Sequence, residues 1–246
     1  MKRGQAGRVQ NQAALLVVAP TRREMPRLAS GQQAQVMEAV VGLGREAHSA
    51  LDRLLARHRP SIVLSIGFAG ALTPEKGTGD LVVCDSFRLA DGSSPAMPAD
   101  DAMVRLATIR LAQAQVAFGT AVLLTVPAPL LTVAHKRVAG QESGAALVDM
   151  EGYWLAQVAA QHQVPFVALR VVLDAMHHEL PELVGAIVAD QGRREWRHAA
   201  RSLLRNPTIV ARLIPLANRS WRSQRALHMA ARVLAPTLVA SAERMG

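Results

Sequence analysis

The segment Pro165–Leu173 (PFVALRVVL) constrains the fold most, because its nine residues carry one charge, are rich in Val and Leu, and end at Asp174. Such a run reads as a long apolar strand. Ala13–Ala19 (AALLVVA), Ile62–Ile66, Leu81–Cys84 and Ala121–Val126 read as further strands. Between them, Arg45–His58 places Ala47, Ala50, Leu51, Leu54 and Leu55 at helical spacing, with Pro60 just past its end. Glu151–Gln161 is a second helix, and Asp91–Asp101 is a loop rich in Asp, Ser and Pro. Strands that alternate with helices imply an α/β fold with a largely parallel sheet. In open sheets of this kind, ligands sit beyond the carboxyl ends of strands. Gly42–Gly44, Gly67–Gly70 and Asp174 all fall at such ends.

Composition narrows the function classes. Half the residues are hydrophobic but only 3% are aromatic, so aliphatic side chains must fill the core. The single cysteine, Cys84, rules out an internal disulfide and a cysteine-based zinc site. The apolar run Ala13–Ala19 leads into Pro20 and charged residues, which favours a first strand over a signal peptide. The longest uncharged stretch, Leu111–Ala134, contains Gln113, Gln115, Pro127 and Pro129. It is a poor membrane span, which needs about 20 mainly apolar residues. A cytoplasmic location is expected.

Charge divides the chain. From Arg193 onward there are eleven arginines, no lysine and two acidic residues, so the whole formal excess of +9 falls there. The expected organisation is a basic tail over 1–12, a catalytic domain over 13–192 and a basic helical C-terminal extension over 193–246. In the extension, Trp196, Ala199, Ala200, Leu203 and Leu204 form one face and Arg194, Arg197, Arg201 and Arg205 the other. Asn206-Pro207 and Pro215 divide the remainder into short helices. Arginines flanking Trp196 and Trp221 are the composition of an interfacial helix. Packing on the core, or an oligomer interface, accounts equally well for the pattern. No nucleic-acid motif accompanies the arginines, which disfavours nucleic acid as partner.

Several polar residues invite chemistry. Gly42-x-Gly44 is a fragment of a phosphate-loop pattern, and more often such a fragment only makes a tight turn. Gly67-Phe68-Ala69-Gly70 lets the backbone approach a ligand and aim amides at it, or simply ends a strand. Asp149 is expected to favour a helix N-terminus. A carboxylate such as Glu151 can accept two hydrogen bonds and so grip vicinal hydroxyls. Asp174, at the end of an apolar strand, is expected to be desolvated and held as an acid, or else to serve as an N-cap. His177 and His178 have no companions that would make a metal set, so no metal is expected.

Taken in order, these residues resemble the purine and uridine phosphorylase superfamily, which includes the methylthioadenosine/adenosylhomocysteine nucleosidases. The resemblance spans about residues 13–190. It rests on a strand leading to Glu24, Gly42-Leu43-Gly44, Gly67–Ala71, Gly79-Asp80-Leu81-Val82, Asp149-Met150-Glu151 and Arg170–Asp174. It implies a three-layer α/β fold around a mixed, partly barrel-like sheet. It assigns Asp174 to protonating the purine N7 and Glu24 to positioning the attacking water. Substrate binding falls to Glu151 at the ribose hydroxyls, Met150 under the sugar, Gly67, Phe68, Ala69 and Gly70 near the reacting centre, and Arg170. The nucleosidases usually carry Ser before the acid, whereas here the residue is Leu173.

Within the superfamily the chain is most similar to the hopanoid-associated phosphorylases, which have a helical C-terminal extension. That similarity implies release of adenine from adenosylhopane, with membrane contact through the arginine-rich extension at the inner face. No organic cofactor is implied. Inorganic phosphate is a candidate co-substrate, which Arg22 and Arg23 would serve, while Glu24 favours water. The alternatives are a phosphorylase or nucleosidase of soluble nucleosides, and a non-catalytic purine-binding protein at the membrane.

Overall fold

The computed structural model describes residues 14–28, 35–181 and 207–245, with side chains in the last segment from Ser220 onward. Its strands are β1 (Leu15–Ala19), β2 (Val36–Val40), β3 (Ile62–Ala71), β4 (Leu81–Leu89), β5 (Met97–Pro98), β6 (Gly119–Thr125), β7 (Leu147–Asp149) and β8 (Phe166–Asp174). Its helices are α1 (Glu46–His58), α2 (Asp101–Gln113), α3 (Val133–Ser143), α4 (Gly152–Gln161) and, last, α5 (Pro207–Met245).

Alternation along the strands builds three layers. Side chains of a strand point to opposite faces with period two. Leu16, Val18 and Val63 therefore join one core with Leu51 and Leu55 of α1 and Leu155 and Val158 of α4. Leu15, Val17, Ile62 and Leu64 join the other, with Leu111 of α2 and Leu234 of α5. Both faces of the sheet are thus covered, which explains why its strands read as continuous apolar runs.

The sheet is mixed, as the resemblance implies, and most of its pairings are parallel, as strand–helix alternation predicts. β1 runs parallel to β2 and β3, and β3 runs parallel to β8. β3 with β7, β4 with β5 and β4 with β8 are antiparallel. The pairings β3–β8, β8–β4, β4–β6, β6–β7 and β7–β3 return to their start, so five strands close into a ring. β2 and β1 extend outward from β3.

Two sequence expectations change. Gly67–Gly70 does not form a loop after a strand; β3 continues through it to Ala71 because β8 and β7 supply backbone partners there. The register shifts between Ala69 and Gly70, which marks a bulge at that point. The C-terminal segment is one helix from Pro207 to Met245, not short helices divided at Pro215. Proline at the first helical position costs nothing there. Interior prolines cost about 3 kcal/mol each; the buried stripe Leu227, Ala230, Ala231, Leu234, Leu238 and Ala242 offsets this by anchoring the helix to the core. The expected amphipathic helix around Trp196 and the basic tail over 1–12 lie outside the described residues. Among the described residues, no helix is long and apolar enough to cross a membrane.

Candidate active site

Three carboxylates, Glu24, Glu151 and Asp174, are each 5% exposed; Glu24 and Asp174 lie along the second half of β3, and Glu151 stands within electrostatic reach of Glu24. Burial of an acid demands partners, and each finds a different kind.

Glu24 lies in the turn after β1. Its carboxylate accepts hydrogen bonds from the Thr21 hydroxyl and, at 3.0 Å, from the Thr21 N–H. Its Oε1 accepts the Phe68 N–H of β3 at 2.9 Å. Gly67 lies beside this contact: a Cβ there would stand in ordinary contact, 3.4 Å from Glu24 Oε1 and 3.5 Å from the Arg170 guanidinium. Burial raises the Glu24 carboxyl above its ordinary range, against the opposing pull of these hydrogen bonds and of Arg170. A raised carboxyl is suited to take a proton from water near neutral pH.

Glu151 comes after β7 and opens α4. The Gly44 N–H donates to Glu151 Oε1 at 2.7 Å. Gly42 and Gly44 have φ of +86° and +60°, so the Gly42-x-Gly44 turn is a left-handed backbone that presents this amide to the carboxylate. Burial, and then repulsion from Asp149, push the Glu151 carboxyl up to about 8; Glu24 adds to the repulsion and so stands within electrostatic reach. Met150 is partly buried against Val148 and Leu124, and its Cε lies 3.9 Å from where a Gly44 Cβ would be.

Asp149 organises this corner. Its carboxylate accepts the N–H of Gly152 at 3.0 and 3.1 Å, as expected for a helix start, and the Thr125 hydroxyl at 2.8 Å. Arg170 Nε and Nη2 both lie 3.0 Å from Asp149 Oδ2. Arg170 also donates to the Ser65 hydroxyl at 3.2 Å and is fully buried. The guanidinium is therefore turned to the protein, where it neutralises Asp149 beneath the site. Burial opposes its charge, but Asp149 and Glu151 outweigh that, and the net effect holds it more firmly protonated.

Asp174 ends β8, beside Gly70. A Cβ at Gly70 would come within 3.2 Å of Asp174 Oδ2 and 3.1 Å of Val148. Asp174 is buried, as expected of a carboxylate at the end of an apolar strand, but it has a charged partner that the strand pattern does not reveal. The ammonium of Lys136, on α3, forms an ion pair with Asp174 Oδ2 and is itself fully buried. Two further ties hold this strand end: Thr78 donates to the Leu173 carbonyl and Ser223 of α5 to the Val172 carbonyl. Leu173 contributes no hydroxyl to the acid.

Lys136, Thr125 and Ser65 are the residues that sequence reasoning did not single out. Among the described residues, no group of three metal-ligating side chains exists. Burial pushes the Cys84 thiol up to about 12, leaving it protonated and unreactive. Arg22, expected as a phosphate ligand, lines an outer cleft with Arg27, Arg225 and Arg232 of the α5 side.

Comparison with known proteins agrees with this geometry. Residues 27–205 match the phosphorylase superfamily. The 5'-methylthioadenosine/S-adenosylhomocysteine nucleosidase of Geobacillus thermodenitrificans is 32% identical over 164 residues, covering 58% of this chain and 69% of that protein. Among solved structures, the nucleosidase of the same name from Helicobacter pylori superposes with a TM-score of 0.61 at 15% identity, covering 94% of this chain and 98% of that one. Futalosine hydrolase of Helicobacter pylori gives 0.59 at 17% identity, covering 65% and 87%. The fold and the matched residues make this chain a member of the phosphorylase superfamily. It is an enzyme of the class that cleaves N-glycosidic bonds.

Proposed function

We propose that the chain hydrolyses the N-glycosidic bond of a purine nucleoside and releases adenine, and that its substrate is the lipid nucleoside adenosylhopane. The observation that carries the reading is a set of three buried carboxylates with three different partners, two of them lying against β3. Cleavage passes through an oxocarbenium-like sugar, as at other glycosidic bonds. Glu151 accepts the ribose hydroxyls, Glu24 positions water and takes its proton, and Asp174 delivers a proton to the departing base. Met150, Phe68 and Ala69, with Gly67 and Gly70, line the sugar, and Arg170 keeps Asp149 neutralised behind it. Water is favoured over phosphate because Glu24 brings a carboxylate to the reacting centre while Arg22 lies in the outer cleft.

Support for a lipid substrate comes from the surface. The outer cleft, of about 730 Å³, is lined by Arg22, Arg27, Arg225 and Arg232. Trp221 and Met229 stand 57% and 47% exposed on its α5 wall, and the Arg225 guanidinium lies 4.9 Å from the Trp221 ring centroid. Cations interleaved with exposed apolar groups suit the headgroup region of an anionic membrane. The enzyme would then work from the cytoplasmic face. A second reading, hydrolysis of a soluble nucleoside, is favoured by the similarity to proteins named for methylthioadenosine and adenosylhomocysteine.

The deciding experiment measures adenine released from vesicles containing adenosylhopane and, separately, from 5'-methylthioadenosine, with and without phosphate. The expected result is release from the vesicles, independent of phosphate and reduced about 10²- to 10⁴-fold by Asp174→Asn. Phosphate-dependent release with a sugar 1-phosphate product would overturn hydrolysis. Turnover of the soluble nucleoside alone would overturn the lipid substrate.

A further inference from the structure

We propose that Lys136 is a positioning residue for the leaving-group acid: it fixes the Asp174 carboxylate and stores the proton that Asp174 delivers. The inference rests on the reading of Asp174 as that acid.

Lys136 is the only fully buried side chain of α3, at 0% exposure. Its ammonium donates to Asp174 Oδ2, to the His178 carbonyl at 2.7 Å and to the Ala175 carbonyl at 3.3 Å. An ammonium has three donors, so all three are engaged, and two of them grip the backbone just beyond Asp174. A buried ion pair is a poor source of stability, because the desolvation of both charges offsets their attraction. Apolar residues packed at both positions would serve the fold as well, whereas removing one partner alone would strand a buried charge. The pair therefore needs another explanation, and its place at the end of β8 supplies one. The nucleosidases that the sequence resembles usually carry a serine before the acid; here Leu173 provides no hydroxyl, and Lys136 reaches the carboxylate from α3.

The pair holds one mobile proton. Its transfer from Nζ to Oδ2 converts ammonium and carboxylate into amine and carboxylic acid without changing the net charge. As the C1'–N9 bond breaks, its electron pair passes to the purine and Asp174 gives the proton to N7. The pair is left as amine and carboxylate. Glu24 takes the proton lost by the attacking water and releases it to solvent as the products depart, and one proton from solvent restores the ammonium, so the turnover has no net proton change.

The test compares the intact chain with Lys136→Met and Lys136→Arg on a series of 6-substituted purine nucleosides whose bases differ in leaving ability. Lys136→Met is expected to lower kcat for the adenine nucleoside about 10²- to 10³-fold, with KM within a few-fold. The loss is expected to shrink as the leaving base improves, so kcat depends more steeply on leaving-group pKa than in the intact chain. Lys136→Arg keeps a cation but cannot release a proton, and is expected to behave as Lys136→Met. Lys136→Gln carries the same expectation if the methionine variant does not fold. An equal loss across the whole series, an unchanged kcat in Lys136→Met, or full activity in Lys136→Arg would each overturn the proposal. Failure of the intact chain to cleave any purine nucleoside would instead overturn the reading on which it rests.

Discussion

Glu151 is a residue whose charge makes the site sensitive to pH. Its carboxyl is raised from an ordinary 4.5 to about 8 by burial and by Asp149. Between those two values the folded chain holds a proton that the unfolded chain has lost. Stability therefore falls as pH rises through this window, because the unfolded state binds fewer protons there. Glu24 is raised too and acts in the same direction. Glu151→Gln is expected to flatten the decline of Tm between pH 5 and 8 without abolishing it, since Glu24 remains; an unaltered slope in thermal scans would contradict the assignment. Gly70 yields a second expectation. A methyl group there would press on Val148 and Asp174, so Gly70→Ala should cost about 1–3 kcal/mol by overpacking. It should also lower kcat more than it raises KM, which steady-state kinetics on the purified variant would show. At this scale the sequence was partly legible. Asp174 stood out at the end of an apolar strand and Glu151 at a helix start, whereas Glu24 came only with the family resemblance. Lys136 was not: it is one cation on a helix with no apolar stripe, and only tertiary placement brings it to Asp174, 38 residues away.

Legibility of whole elements obeyed the same physics. Strands such as β8 and β1, buried on both faces, announced themselves as unbroken apolar runs. β3 was read as half its length, because its second part carries two glycines, of which Gly70 leaves room for Asp174 and Val148. α2 buries only Met103, Ala107 and Leu111, and α3 only Lys136, so neither carries a strong helical signature. α5 was visible as helical, but its prolines suggested interruption where the fold imposes continuity. That helix packs on β8, β3, β1 and α2 and completes one of the two cores. Its Ser223 donates to the Val172 carbonyl at 2.8 Å and Gln224 to the Arg23 carbonyl at 2.7 Å, tying down both strand ends that lead to the acids. Leu234→Ala is therefore expected to cost about 2–5 kcal/mol, the range for a buried leucine. Denaturant unfolding would measure it. A loss below about 1 kcal/mol would mean that the helix is an appendage to the catalytic core and not part of it.

For the molecule as a whole, the formal excess of positive charge resides from Arg193 onward, and α5 carries part of it on the face opposite its core stripe. The same helix thus stabilises the catalytic layer from within and presents Trp221, Arg225, Met229 and Arg232 outward. Arg22 and Arg27, on either side of Glu24 in sequence, complete the cleft. A surface that binds a membrane here would hold the Glu24 turn close to the lipid. Each arginine near an anionic bilayer contributes about 1 kcal/mol. Arg225→Gln combined with Arg232→Gln should then weaken binding to phosphatidylserine vesicles by about 2 kcal/mol, roughly 30-fold. Salt should weaken the intact chain's binding as well, since the Debye length falls to about 8 Å at physiological ionic strength. Both substituted residues are exposed in the folded chain, so turnover of any soluble nucleoside should be unchanged while adenine release from vesicles falls with binding. Vesicle co-sedimentation across a salt series, run beside both activity assays, separates the outcomes. Equal loss in the two assays would place these arginines in the service of the active site, and no loss in either would leave the charge of α5 to some partner other than a membrane.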